Sequence, residues 1–219
     1  MKIFLPVLLS AILLAGCNNN NKVVIKGAFT APAEGVVYLD QSEVDRSIRV
    51  DSAEIRRGRF KFVAEISGPE FFQVRFPGNE FVALLVMPGE DISLELGKAP
   101  VAMNYTVQGS PGSSDIRMLD QQLLVTRGRL DSLRTIYTSL SSDELALRGP
   151  ELEKAYTDAV EAQRKFNIKF VIENISSMSS IQALYQRLDE NTYVLYQPRD
   201  LQYLKIVSDS LSVRYPVSR

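Results

Sequence analysis

The chain has 219 residues, 45% of them apolar and 23% charged, with a formal net charge of −1; that allows one large domain or two small ones around a sizeable core. The charge lies at −2 over residues 17–112 and 0 over 113–219, without the basic footprint that nucleic-acid binding leaves, so no nucleic-acid partner is expected. The absence of histidine removes the commonest general base and metal ligand, and the single cysteine removes intrachain disulfides, Cys-x-x-Cys redox chemistry and cysteine-rich zinc sites.

Met1-Lys2 is a short positive start, followed by a mostly apolar run from Ile3 to Leu14. The run falls short of the roughly 20 residues that span a bilayer and fits the apolar region of a secretory signal. Leu14-Ala15-Gly16-Cys17 then resembles the bacterial lipobox, which implies a lipoprotein signal peptide over 1–16 and lipid attachment at Cys17. A thiolate suits that acylation, and two or three acyl chains hold a protein durably on a membrane. Residues 17–22, with four asparagines, read as an acylated polar tether. Asn18 after the cysteine favours sorting to the outer membrane in the lipoproteins this resembles, with the leaflet left open.

Residues 23–109 follow a period of two. Strand-like runs at 23–30 and 35–41 are separated by the Ala31–Glu34 turn, and 47–55 meets 59–66 across Arg56-Arg57-Gly58 as a tight hairpin. Further runs occupy 71–76, 80–87, 91–97 and 101–109; the almost wholly apolar 80–87 reads as a central strand, and Pro88-Gly89 suits a type II turn. Eight short strands with turn signals every 8–12 residues predict an antiparallel β-sandwich or a barrel-like domain.

Residues 109–115, "GSPGSSD", form the boundary, with Ser114 or Asp115 as candidate caps for a helical segment over 113–219. Ile116, Leu119, Leu123, Thr126, Leu130, Leu133, Tyr137 and Leu140 recur in steps of three and four, a stripe of nearly four heptads. After Ser141-Ser142-Asp143 a second helix is predicted from about Pro150, with Leu152, Tyr156, Ala159, Phe166 and Phe170 on its face. The two form an antiparallel helical hairpin, followed by shorter helices near 180–189 and 199–213, the last opened by Pro198. The fold class is therefore α+β, segregated.

"FNIKFVIENISSMSSIQALYQRLDENTYVLY" (166–196) and "YLKIVSDSLSVRYPVSR" (203–219), with "GRFKF" and "VMPGEDISLEL" in the β-half, resemble the thioredoxin-like thiol-disulfide oxidoreductase lipoproteins of Bacteroidota. The resemblance implies a lipobox, an all-β domain of unknown function, a helical segment and then a thioredoxin fold with Cys-x-x-Cys. That fold would begin about where this chain stops, and its redox cysteines have no counterpart here, so no catalytic residue carries over. An excised piece, a gene interrupted downstream and a natural stand-alone version all fit. The expectation is a membrane-anchored, non-catalytic envelope module, without cofactor or metal, that positions, dimerises or presents substrate to a thioredoxin-like domain in cis or in trans. A homodimer through the helices is part of it. The alternative is a periplasmic or surface lipoprotein that binds a glycan or peptide, marked by a contiguous exposed aromatic patch on the β-half.

Other features have plainer readings. Arg56, Arg57 and Arg59 suit an anionic sugar or a lipid headgroup but are expected, more plainly, at a solvated hairpin tip, and Glu90-Asp91 in a turn rather than a metal corner. One of Phe71 and Phe72 must face outward, and the helical half is expected to cover it. Tyr185, Tyr193, Tyr196, Tyr203 and Tyr215 suit either helix packing or a partner surface.

Overall fold

The computed structural model describes residues 21–43, 45–78 and 80–216. The expected signal peptide at 1–16, Cys17 and most of the expected tether at 17–22 lie outside them. Eight strands come first: β1 (Lys22–Phe29), β2 (Val36–Ser42), β3 (Ser47–Glu54), β4 (Arg59–Glu65), β5 (Glu70–Arg75), β6 (Phe81–Val86), β7 (Asp91–Leu96) and β8 (Tyr105–Gln108). Four α-helices follow: α1 (Pro111–Ser139), α2 (Ser142–Glu173), α3 (Ser179–Tyr185) and α4 (Leu201–Arg214), with a 3₁₀ turn, Pro198–Asp200, leading into α4. The architecture is the predicted segregated α+β arrangement, a sandwich followed by helices. Among the described residues no helix is long and apolar enough to cross a membrane.

The sandwich has sheets ordered β4-β1-β7-β8 and β3-β2-β5-β6. Alternation is clearest in β4 and β7, where Phe60, Phe62 and Ala64, and Ile92, Leu94 and Leu96, point inward while their neighbours meet solvent. Phe29, Phe60, Phe62 and Phe76 form a ring cluster with centroids 5.6–6.3 Å apart. Gly27 makes room for it: a Cβ there would lie 2.1 Å from the Phe60 ring.

Several details differ from the sequence reading. The sandwich is not wholly antiparallel, because β1 and β7 pair in parallel. The runs 47–55 and 59–66 do not form one hairpin ladder. They meet only at Arg56 and Arg59, around a turn with φ of 52° at Arg57 and 71° at Gly58. Beyond it β3 pairs with β2 and β4 with β1, so the chain crosses between sheets. The run 80–87 lies at a sheet edge rather than the centre; it is apolar on both faces because α1 packs over Leu85. The last strand shrinks from 101–109 to four residues, since Val101–Asn104 turn: Met103 N–H donates to Pro100 O and Asn104 N–H to Val101 O.

The two long helices start earlier than predicted, while α3 ends at Tyr185 rather than 189 and α4 begins at Leu201. Ser110, not Ser114 or Asp115, caps α1, and its side chain accepts from Ser113 N–H. For α2 the start signal is the capping box of Ser141 and Glu144, which sets the helix running eight residues before Pro150; the proline sits inside it. The heptad stripe divides: Ile116, Leu119, Leu123, Thr126 and Leu130 are buried, whereas Leu133 and Leu140 are half-buried and Tyr137 is exposed. Two small cores fill the helical half, one around Leu119, Phe170, Ala183 and Val207, the other around Leu123, Leu130, Ala159 and Val194.

Candidate functional site

The strand register gives the sandwich two distinguishable ends. Lys22 begins β1 beside Glu65, Val24 pairs with Asp91, and Ile66 N–H donates to Asn21 O. The end at which β1 begins, the tether end after the tether expected at 17–22, therefore also carries the loop before β5 and the Pro88-Gly89 turn, where Glu90 N–H donates to Met87 O at 3.3 Å. The far end carries the 30–35 loop, the Arg57-Gly58 turn and the 98–104 loop.

The helical half is fixed to the tether end. Gly109 has φ of +82°, and a Cβ on it would lie 2.0 Å from Asp91 O, so glycine lets the chain reverse against the start of β7. The Ser110 and Ser113 hydroxyls both donate to Leu85 O, at 3.1 and 2.9 Å. Arg117 Nε donates to Tyr105 O at 2.6 Å, and Gln121 Nε2 to Met103 O at 3.2 Å. Helix α1 thus runs up the sandwich from tether end to far end. From Gln121 to Ser139 it continues for about 27 Å at 1.5 Å per residue, and α2 returns alongside it.

A polar chain crosses the interior of this helical layer. Thr126 Oγ1 donates to Gln163 Oε1 (2.6 Å), Gln163 Nε2 to Asn167 Oδ1 (2.8 Å), and Asn167 Nδ2 to Ala183 O (2.8 Å) and Gln186 Oε1 (2.9 Å). Gln182 and Gln186 side-chain amides both donate to Asp120 Oδ1, at 3.0 and 3.3 Å. Burial raises the Asp120 carboxyl above its ordinary range, and the two amides and Arg127 offset part of that. Among the described residues no buried side-chain nitrogen or oxygen lacks a partner. A network so satisfied specifies how three helices register.

A second cluster lies where α4 begins. Arg164 Nε donates to Asp200 Oδ2 at 3.0 Å and its Nη2 bonds Oδ1; Gln197 N–H also donates to Oδ2 at 3.0 Å. Arg164 holds the Asp200 carboxyl below its usual range against the opposing effect of burial. Tyr196 OH donates to Glu161 at 2.8 Å, and Glu161 stands 3.5 Å from Arg164. A cavity of about 300 Å³ opens beside the pair, lined by Leu184, Leu195, Pro198, Leu201 and Leu204. In the sandwich, burial pushes Asp40 up, but the guanidiniums of Arg49 and Arg75 outweigh it and hold the carboxyl down.

The residues singled out from sequence are scattered over this frame. Arg56 pairs with Glu54 at 3.0 Å at the hairpin tip. Glu90 accepts from Met87 N–H within its turn, and Asp91 pairs with Lys26 at 2.7 Å. Among the described residues no three carboxylates or sulfurs group as metal ligands. Phe72 faces the core; half-buried Phe71 sits opposite Leu85, the residue that α1 covers. Tyr203 packs against the Leu119 core, Tyr193 accepts a hydrogen bond from Arg187 at 2.6 Å, and Tyr185 is exposed. On the described β-half Phe81 is the one exposed aromatic, so a contiguous aromatic patch is not present there. The polar chain from Thr126 to Asp120 was not read from sequence. Its one visible signal was the threonine interrupting an apolar stripe.

No curated protein matches the chain. Residues 23–115, all but the first residue of the eight-stranded sandwich together with the capped first turn of α1, match the family described as Domain of unknown function (DUF4369), whose description names no activity.

Proposed function

We propose that the chain is a lipid-anchored envelope module without catalytic function, acylated at Cys17 and held at the outer membrane. Its sandwich stands next to the lipid, and its helical arm positions a thioredoxin-like domain, in cis or in trans, or presents substrate to it. The observation that carries this reading is the polarity of the fold: Asn21-Lys22 and the base of α1 share one end of the sandwich, and the helical arm leaves from the other. From Cys17 to Lys22 the chain reaches at most about 18 Å, at 3.3–3.6 Å per residue. Helix α1 rises about 43 Å over its 29 residues. An anchored sandwich therefore carries the hairpin tip outward across the envelope space. The absence of histidine and the satisfied interior support a positioning role over chemistry.

The arm is also the dimerising element. The lower stripe is consumed within the chain, but Ile136 and Tyr137 at the tip are exposed, beside half-buried Leu133 and Leu140. Two tips packed together would bury this upper stripe. Sedimentation of residues 22–219 tests it: a dimer is expected, with Ile136→Asp and Tyr137→Asp together giving monomer. A strict monomer at high concentration removes the dimerisation role. A thiol-exchange assay on the same protein is expected to show no rate above buffer; turnover would overturn the non-catalytic reading.

A further inference from the structure

The outer face of the β4-β1-β7 sheet holds a groove of about 690 Å³ whose rim includes Lys26, Arg56, Arg59 and Lys61 and whose floor includes Ala28 and Ser93. The register explains the shape. Lys61 lies directly opposite Lys26 and Arg59 opposite Ala28 on β4, while on β7 Ser93 lies beside Lys26 and Glu95 beside Ala28. The short side chains of Ala28 and Ser93 thus leave an open trench beside Arg59, Lys61 and Lys26, with the one carboxylate, Glu95, on its β7 side.

Like charges placed directly opposite on a sheet work against folding. Lys26 is partly relieved by Asp91 at 2.7 Å, and Arg56 by Glu54, which also lines the groove. Arg59 and Lys61 have no ion-pair partner among the described residues. A sheet face that keeps repelling, unpaired cations around a floor of small residues bears the mark of a surface held for a ligand.

We propose that this groove binds an anionic polysaccharide, lying along β4 with its carboxylate or sulfate groups against Arg59 and Lys61 and its sugar rings over Ala28 and Ser93. The trench is open, which suits a chain laid across it rather than a small molecule, since small-molecule sites enclose most of their ligand. Its one aromatic lining residue, Phe60, is buried in the sandwich core and presents no open ring face of the kind that stacks single-stranded bases. It also lies toward the far end of the sandwich: Ala28 is about 20 Å along β1 from Lys22, at 3.3 Å per residue, which sets it back from the headgroups of the membrane that holds the tether. That setback rests on the proposed lipid anchor; the shape and charge of the groove do not.

The test uses the full chain in a neutral detergent, titrated with heparin and with polygalacturonate, and separately with inorganic phosphate, phosphatidylglycerol vesicles and a single-stranded oligonucleotide. Both polysaccharides are expected to bind, more weakly as salt rises. Arg59→Glu with Lys61→Glu should weaken binding at least about tenfold and flatten the dependence of log K on log salt by about two. Lys165→Glu, the same charge change on α2, should leave binding as it was. Lys61→Glu alone should melt no lower than the parent, because it turns a repelling pair into an attracting one, so its lost binding cannot be ascribed to unfolding. The proposal is overturned if neither polysaccharide binds, if the double variant binds as the parent does, or if phosphate, vesicles or oligonucleotide occupy the groove as tightly.

Discussion

Replacing Asp200 by asparagine probes the physical logic of the helical half. Arg164 is 5% exposed and Asp200 3%, and the carboxylate takes two bonds from the guanidinium and one from Gln197 N–H. Asparagine keeps the shape but removes the charge, leaving Arg164 buried beside neutral groups, with Glu161 at 3.5 Å as its remaining counter-ion. Breaking a buried pair from one side costs about 3–5 kcal/mol, and the half-buried Glu161 places this case near the lower figure. At 2–4 °C per kcal/mol for a chain of this size, melting falls by roughly 6–12 °C. Urea unfolding followed by circular dichroism should show the midpoint drop with an unchanged slope. Arg164→Met combined with Asp200→Leu should recover most of the loss, because an apolar pair needs no counter-charge. The acid limb gives a second readout. The folded-state carboxyl is held low, so its stabilisation is complete above the unfolded value and disappears as pH falls through the folded one; the asparagine variant should lack that part of the acid loss. A loss below about 1 kcal/mol, or a double variant worse than the single, would refute the reasoning.

Asp120 should behave in the opposite sense. Its carboxyl is raised by burial, so the folded state holds a proton longer than the unfolded one and stability declines as pH rises through that interval; Asp120→Asn should flatten this decline in a pH series of unfolding midpoints. Lys61→Glu should stabilise the sandwich by about 0.2–1 kcal/mol, measured by urea unfolding and reduced in high salt. Gly109→Ala forces a side chain to φ +82° and against Asp91 O, and should cost more than about 1 kcal/mol and loosen the base of α1, read as faster amide exchange at Ser113 and Ser114.

What the sequence disclosed was local. Alternation in "RFKFVAE" and the spacing from Ile116 to Leu130 depend on neighbours along one chain, and both elements formed as read. Partners of strands were hidden, because nothing in the β4 residues says that they pair with β1 rather than β3. The apolar run at 81–86 resembled a central strand for a reason visible only in three dimensions: α1 supplies the cover that a further strand would have given. Pro150 drew the start of α2 too late, although Ser141 and Glu144 spelled out the cap. Gln163, Asn167 and Gln186 gave no warning of burial, since amides are ordinary on exposed helix faces and only the crossing of three helices unites them.

Acylation of Cys17 is tested most directly by the intact mass of the mature protein taken from its native membrane, with sequencing of its amino-terminal peptide. The expected result is a chain that begins at Cys17, with a diacylglycerol thioether on the sulfur and an acylated amino group. A chain that retains residues 1–16 with an unmodified thiol, recovered free of the membrane, would contradict it.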